Sequence, residues 1–460
     1  MSDHFDVIVL GMGPGGEVAA SRLLAAGQHV AVIERELIGG ECAYWGCIPS
    51  KTLLRPPEAC SASERAAGLS RPDLDWPRLR QYRDYMIRNL DDTKQVQGYV
   101  HHGATVIKAV GRIVGRTDEG HLHVDAGDRL LTAEHVIIAT GSQAFRPDVE
   151  GLEEGSGVPV WTNREATNLT DIPERVVMLG GSAVAVELGQ FLARMGSTVI
   201  LVHRGQRLMT REEARVGELT QGVLEADGID VRLGRQITRA TPAPINGRTG
   251  ARVELDDGST LAVDVIVLGT GRTPRITDLG LERIGVDAAG GRLPLDAHCL
   301  LTDGVWAIGD ATGQAMFTHV AKYQARVVAD TILGTPRAAH YEGIPRVVFA
   351  DPEIAAVGMT AAQALDAGIE VASTEVNLPE AITRPWTYET DPQGTLGLLA
   401  DQRRKVLIGA WAVAPMASEW IHQAALATRA QIPLGILRDH VPQFPTYSEA
   451  YLAVLERLDA

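Results

Sequence analysis

Apolar runs of strand length, several of them closed by glycine, recur along the chain and set its organisation. FDVIVLGMGPGG (5–16) leads into EVAASRLLAAG, whose apolar residues fall at helical spacing, and then into HVAVIER (29–35). Strand, glycine turn, helix and strand in that order form a crossover unit and predict a parallel sheet. A second unit of the same kind, RVVMLGGSAVAVELGQFLARMGSTVILVHR, fills 175–204. Two such copies far apart predict two dinucleotide-binding domains rather than a solenoid. Between them the spacing predicts helices over roughly 51–68 and 77–99, then a strand-rich part ending in HVIIATGS (135–142). VDVIVLGTGRTP (263–274), GVWAIGDAT (304–312) and a predicted helix HVAKYQARVVADTILG (319–334) follow. From Ile344 the texture changes to PRVVFADPEIAAVG, VLIGAWAVAP and amphipathic helices, which puts a domain boundary near 335–345.

The first glycine turn carries G-x-G-x-x-G. Gly11 allows the tight turn, Gly13 lets backbone approach a pyrophosphate, and Gly16 lets the helix pack on the strand. The helix N-terminus then offers unpaired N–H groups and the positive end of its dipole to phosphate. Glu34 ends the second strand, in reach of an adenosine ribose diol. The second copy is imperfect. Gly180 keeps the turn, Ser182 replaces the middle glycine and Ala185 the last. The Cβ of Ser182 falls where backbone should touch phosphate, so looser binding is expected there. His203-Arg204 ends the following strand, with Arg207 close behind. An acidic residue at this place would favour NADH. The basic cluster of Arg204 and Arg207 suits a 2′-phosphate and makes NADPH the preferred nucleotide over NADH, unless these are solvated loop charges.

Composition narrows the partners. The 460 residues are 45% hydrophobic and 22% charged with a formal net charge of −15, so nucleic acid and anionic membranes are poor partners on electrostatic grounds. No apolar run approaches the roughly 18 residues of a membrane span, and no signal peptide is legible, so a cytoplasmic protein is expected. Four cysteines (42, 47, 60, 299) are too few for a disulfide scaffold. Two of them stand in GGECAYWGCIPSK (39–51). Read from the residues alone, Cys42 and Cys47 could be a structural pair, a metal clip or a redox couple. Zinc needs four ligands, and no second Cys/His pair with ligand spacing stands out.

An N-terminal glycine motif followed by G-G-x-C-x-x-x-x-C-x-P-S-K resembles the flavoprotein pyridine nucleotide-disulfide oxidoreductases. ATGS (139–142), TGRTP (270–274), AIGDAT (307–312), FTHVAKYQAR (317–326) and FADPEIAAVG extend the resemblance along nearly the whole chain. It implies an α/β protein with two Rossmann-like dinucleotide-binding domains plus a C-terminal α+β dimerisation domain. The expected partition is 1–150 and 266–338 for FAD, 151–265 for NAD(P), and 339–460 for dimerisation. Gly11, Gly13, Gly16 and Glu34 would hold the ADP half of FAD. Gly141 and Gly309 lie in flavin-contacting segments, Asp310 would meet the ribityl chain, and a helix starting near His319 would face the flavin. The resemblance also implies a homodimer and makes Cys42–Cys47 a redox-active disulfide. Cys47 would be the thiolate against the flavin and Cys42 the interchange thiol, with Lys51 near the flavin and paired to Glu187. Cys60 and Cys299 are expected to be ordinary buried or loop residues.

The pattern departs from the family at HVPQFPTYSE (440–449). The family carries His-Pro-Thr-x-x-Glu here. Pro445, Thr446 and Glu449 align, while Phe444 replaces the proton-carrying His. The expected consequence is a small-molecule acceptor other than a dithiol, such as a quinone, a metal ion or O₂. His440 reaching the site by another path is an alternative. So are a dihydrolipoamide dehydrogenase-like thiol-disulfide reductase and a flavoprotein scaffold with little turnover. Mercuric reductases resemble this chain in that aromatic residue but carry a C-terminal cysteine pair absent from YLAVLERLDA, and soluble transhydrogenases lack the second cysteine. Glu41 is expected to raise the Cys42 thiol pKa by its charge, and Tyr44 and Trp45 to pack or to shape a flat pocket.

Overall fold

The computed structural model describes residues 3–459 except 289. The chain divides into two compact units. The first runs through Pro49 and adds Gln81–Phe145 and Arg272–His340; the second comprises Ser50–Arg80, Arg146–Gly271 and the chain from Tyr341 onward.

In the first unit the central sheet has the order Leu300–Thr302, Val305–Ala307, Leu130–Ile138, Asp3–Leu10, Val30–Ile33, Thr105–Ile107. Asp3–Leu10 is parallel to Val30–Ile33 on one side and to Leu130–Ile138 on the other. Both faces of the sheet are covered, which is why its strands are nearly continuous apolar runs. Phe5, Ile8 and Leu10 enter one core cluster, while Val7 and Val9 enter another with Ala19, Ala20 and Leu23 of helix Pro14–Ala25 and Val328 of helix Thr318–Ile332. From Val7 to Leu10, strand alternation sends successive side chains to opposite faces.

The second unit holds a parallel sheet ordered Asp230–Leu233, Thr198–His203, Arg175–Leu179, Val265–Leu268, Val160–Trp161. An antiparallel sheet follows in the order Pro345–Val348, Glu353–Gly358, Val406–Ala414, Thr395–Asp401, Val371–Asn377. Leu188, Phe191 and Leu192 of helix Ala183–Arg194 share one core with Val348, Ile354 and Trp411.

One departure from the sequence reading concerns a helix. The stretch 77–99 is interrupted: helix Trp76–Met86 gives way to a turn in which Arg88, Asn89 and Leu90 have φ of 55°, 51° and 58°, before helix Thr93–His101. Three consecutive left-handed residues cannot continue a right-handed helix. Ser50–Arg80 groups with the second unit, because Leu53, Leu54 and Leu79 bury their side chains in that unit's core.

Candidate redox site

Glycine geometry builds the cysteine segment. Gly39 has φ of 118° and stands before the short helix Gly40–Tyr44, which carries Cys42. Gly40 has φ of 61°, and a Cβ on it would lie 2.7 Å from the Gly13 Cα. The cysteine segment therefore rests directly on the first glycine turn. A Cβ on Gly46 would lie 3.1 Å from the Glu41 carbonyl oxygen, so the chain can fold back tightly and begin helix Cys47–Arg65 at Cys47 itself. Helix Gly40–Tyr44 and the new helix start bring the two sulfurs into hydrogen-bond contact.

Both cysteines are thiols in this structure. The hydrogen bond to Cys47 pushes the Cys42 thiol pKa up most, followed by burial and by the charge on Cys47, while the Thr318 hydroxyl pulls it down. Cys42 is thus the member that keeps its proton. Cys47 Sγ lies 3.3 Å from Thr318 Oγ1. Its position at a helix N-terminus favours a thiolate. Sequence reasoning passed over Thr318; its only signal was its place in FTHVAKYQAR. The helix begins at Thr318, one residue before His319, whose exposed ring stacks on Phe317 at 5.2 Å.

Glu41 does not act as expected. It stands 3.5 Å from Arg272, which offsets its charge. Tyr44 is fully buried and donates to the Ile38 carbonyl at 3.1 Å, which makes it a packing residue; Trp45 lies 5.7 Å away, centroid to centroid. Cys60 and Cys299 are buried.

The other cofactor-contacting candidates of the first unit lie in the same unit as this loop. A Cβ on Gly11 (φ 95°) would lie 2.5 Å from the Ala139 carbonyl, and one on Gly16 would lie 2.0 Å from the Gly11 carbonyl. Helix Pro14–Ala25 has no side-chain cap, which leaves its first N–H groups to a ligand. Glu34 accepts the Met12 N–H and the Glu36 N–H, each at 2.7 Å. The remaining lone pairs of its carboxylate suit ribose hydroxyls. Asp310 accepts from the Ser142 hydroxyl at 2.5 Å, and burial pushes its pKa up. Arg272 donates to that same hydroxyl at 2.7 Å. Gly309 donates its N–H to Gln324 at 2.7 Å, and the Gly141 carbonyl accepts the Arg275 N–H at 2.9 Å. The uncapped helix start, the glycine close approaches and the half-buried Asp310 fit an FAD.

In the second unit, Lys51 Nζ lies 2.7 Å from Glu187 Oε2 and 4.9 Å from the Phe349 ring centroid. Glu187 Oε1 accepts the Phe349 N–H at 2.8 Å. At the second glycine turn, a Cβ on Gly180 (φ 122°) would lie 2.2 Å from the Gly269 carbonyl. The Ser182 hydroxyl donates to that carbonyl at 2.7 Å, so it is held by protein and not presented to the helix N–H groups. Arg204 is exposed, and Arg207 donates to the Thr210 carbonyl at 3.2 Å. His203 Nε2 and Arg207 Nη1 are buried with no hydrogen-bond partner. Burial, with Arg204 nearby, lowers the His203 pKa.

Phe444 is 66% exposed. Glu449 Oε2 is buried without a hydrogen-bond partner. Both ring nitrogens of His440 are engaged locally, one with the Leu437 carbonyl at 2.6 Å and the other with Gln423 at 3.2 Å.

With two nucleotide-type turns, a cysteine pair beside one of them and a C-terminal antiparallel sheet, the molecule is of the flavoprotein disulfide-reductase class. The chain belongs to the pyridine nucleotide-disulphide oxidoreductase family, whose model matches residues 5–325, with the family's dimerisation domain matching 344–454. Members use FAD and NAD(P)H, and the dimerisation domain supports a homodimer. The chain is 30% identical to a dihydrolipoyl dehydrogenase of Chlorobaculum tepidum, over 98% of this chain and 96% of that one. It is 31% identical to a mercuric reductase of Streptomyces lividans, over 97% and 94%. Among solved structures it is similar to the Cu(II) complex of the HOCl-induced flavoprotein disulfide reductase RclA from Escherichia coli, with a TM-score of 0.84 and 26% identity over 99% of this chain and 100% of that one. Among the described residues no helix is long and apolar enough to cross a membrane.

Proposed function

We propose that this chain is an FAD-dependent NAD(P)H oxidoreductase that passes electrons through the Cys42–Cys47 couple to an acceptor other than a dithiol. Phe444 carries this reading. A phenyl ring cannot exchange the proton of an interchange thiol, and the nearby His440 is held by Leu437 and Gln423. FAD, when bound, supplies the two-electron carrier between the nicotinamide and the disulfide. Reduction of the Cys42–Cys47 disulfide by one hydride equivalent from NAD(P)H gives NAD(P)⁺, one thiol and one thiolate. Cys42 holds the thiol proton, and Cys47 holds the negative charge at its helix N-terminus. With a quinone as acceptor, thiol, thiolate, quinone and one proton return disulfide and hydroquinone.

Residues 1–150 and 266–338 are read as FAD-binding, 151–265 as nucleotide-binding and 339–460 as the dimerisation domain. Lys51 and Glu187 orient the nicotinamide side of the reaction. Glu449 lies on the acceptor side, where its unpartnered carboxylate oxygen supports a polar contact to acceptor or partner. NADPH is preferred over NADH. The unpartnered nitrogens of His203 and Arg207 support this, since they suit a 2′-phosphate. Few cysteines and no disulfide scaffold support a reducing, cytoplasmic setting.

The deciding experiment is steady-state turnover with NADPH against lipoamide, glutathione disulfide, a simple quinone and Cu(II). Quinone or Cu(II) turnover well above both disulfides is expected. Efficient reduction of either disulfide would overturn the reading in favour of a dihydrolipoamide dehydrogenase-like enzyme.

A further inference from the structure

We infer that Thr318 is the hydroxyl donor that holds negative charge on Cys47 once the Cys42–Cys47 disulfide is reduced. This rests on the redox reading above and adds a residue to it. Thr318 Oγ1 stands 3.3 Å from Cys47 Sγ. The same hydroxyl also reaches Cys42, so it sits against both sulfurs of the couple. Thr318 is the first residue of helix Thr318–Ile332, and Phe317 before it supplies no side-chain cap. The hydroxyl is therefore not serving as that helix's own cap. It joins two segments that are 271 residues apart in sequence.

The charge logic follows from the surroundings. Reduction leaves one proton for two sulfurs. Cys42 and Thr318 can each donate to Cys47, so the thiolate receives two donors in addition to its own helix N-terminus. Other charged or titratable groups stand nearby. Glu41, beside Cys42 in the chain, is paired with Arg272 at 3.5 Å. Asp310 is bound by Ser142, and its raised pKa reflects burial first. His319, next to Thr318, is exposed. The Thr318 hydroxyl is the neutral donor that meets the sulfur, so removing it alters the thiolate without adding or deleting a charge.

The test is the pH dependence of iodoacetamide alkylation in the full-length holoenzyme reduced with dithiothreitol, with Cys42 and Cys47 resolved by mass spectrometry. The variants are Thr318→Val, Thr318→Ala and Thr318→Ser. Val and Ala should raise the midpoint for Cys47 by about one to two pH units, the range expected for losing a hydrogen bond to a charged group. Ser should stay near the wild type. The alanine variant fits in the threonine's space and keeps the test open if valine disturbs folding. A midpoint unmoved in Val and Ala, or moved as far by Ser, overturns the assignment. The redox reading is checked separately: NADPH should expose two additional thiols in wild-type protein, and failure there sinks the couple whatever Thr318 does.

Discussion

Lys51 and Glu187 stand 2.7 Å apart although 136 residues separate them in the chain. Glu187 is 5% exposed and spends its second oxygen on the Phe349 N–H. Within the second unit, one carboxylate thus ties Lys51, helix Ala183–Arg194 and the connection between the first two strands of the C-terminal sheet together. Replacing it by leucine leaves a lysine and a buried N–H without their acceptor. Glu187→Leu should cost about 2 kcal/mol of stability, read from the denaturant midpoint. Lys51→Met should cost less stability, since Lys51 is partly exposed, while slowing NADPH oxidation in stopped-flow.

Cys42 is held protonated chiefly by Cys47. In Cys47→Ser the charge and the sulfur hydrogen bond that raise Cys42 are gone, while burial still raises it and the Thr318 hydroxyl still lowers it. The Cys42 pKa should therefore fall. Its alkylation rate at pH 8 should exceed that of Cys42 in reduced wild-type protein, measured by quenched alkylation and peptide mass spectrometry. The opposite order would refute the proton assignment within the pair.

Gly40 cannot carry a side chain without pushing the cysteine segment off the first glycine turn, since its φ is 61° and a Cβ would meet the Gly13 Cα at 2.7 Å. Gly40→Ala should combine left-handed strain of about 1 kcal/mol with that clash. Reduced FAD content after gel filtration and a lower melting temperature are expected. Full FAD retention would contradict this packing.

Arg207 carries the charge needed for a 2′-phosphate. His203 does not, because its lowered pKa leaves it neutral at pH 7. Arg207→Ala should raise the KM for NADPH about tenfold, as for one lost charge-assisted bond, and leave the KM for NADH nearly unchanged. Titration of His203 should produce no step in the NADPH KM between pH 7 and 8. Equal losses for the two nucleotides would remove Arg207 from the phosphate site.

Phe444→His introduces a group able to carry a proton next to Pro445. Disulfide turnover should rise by about 10²-fold, the low end of typical general acid–base contributions. Quinone turnover should change little. An unchanged lipoamide rate would show that Phe444 is not what limits disulfide chemistry.

Much of the architecture was legible because it depends on local periodicity. Apolar runs such as VIVL and VAVI read as buried strands, and Gly11 and Gly180 mark turns that require positive φ. The cysteine pair was legible because its spacing and flanking glycines lie within one short segment. The break at Arg88–Leu90 was not, since none of these residues is a glycine and the helical spacing continues across them. The grouping of Ser50–Arg80 with the second unit was not legible either, since it rests on where Leu53, Leu54 and Leu79 are buried. Glu41 looked like a charge acting on Cys42 until Arg272, 231 positions further along, was found beside it.

The sequence by itself therefore determined the elements, the two glycine turns and the redox-type cysteine segment. These are short-range patterns, written in residues close together in the chain. Only the tertiary structure decided that Thr318 meets Cys47, that Arg272 neutralises Glu41 and that Glu187 receives both Lys51 and the Phe349 N–H. Each of those contacts joins distant segments. It forms because packing of apolar faces brings those segments together, and no local propensity specifies it.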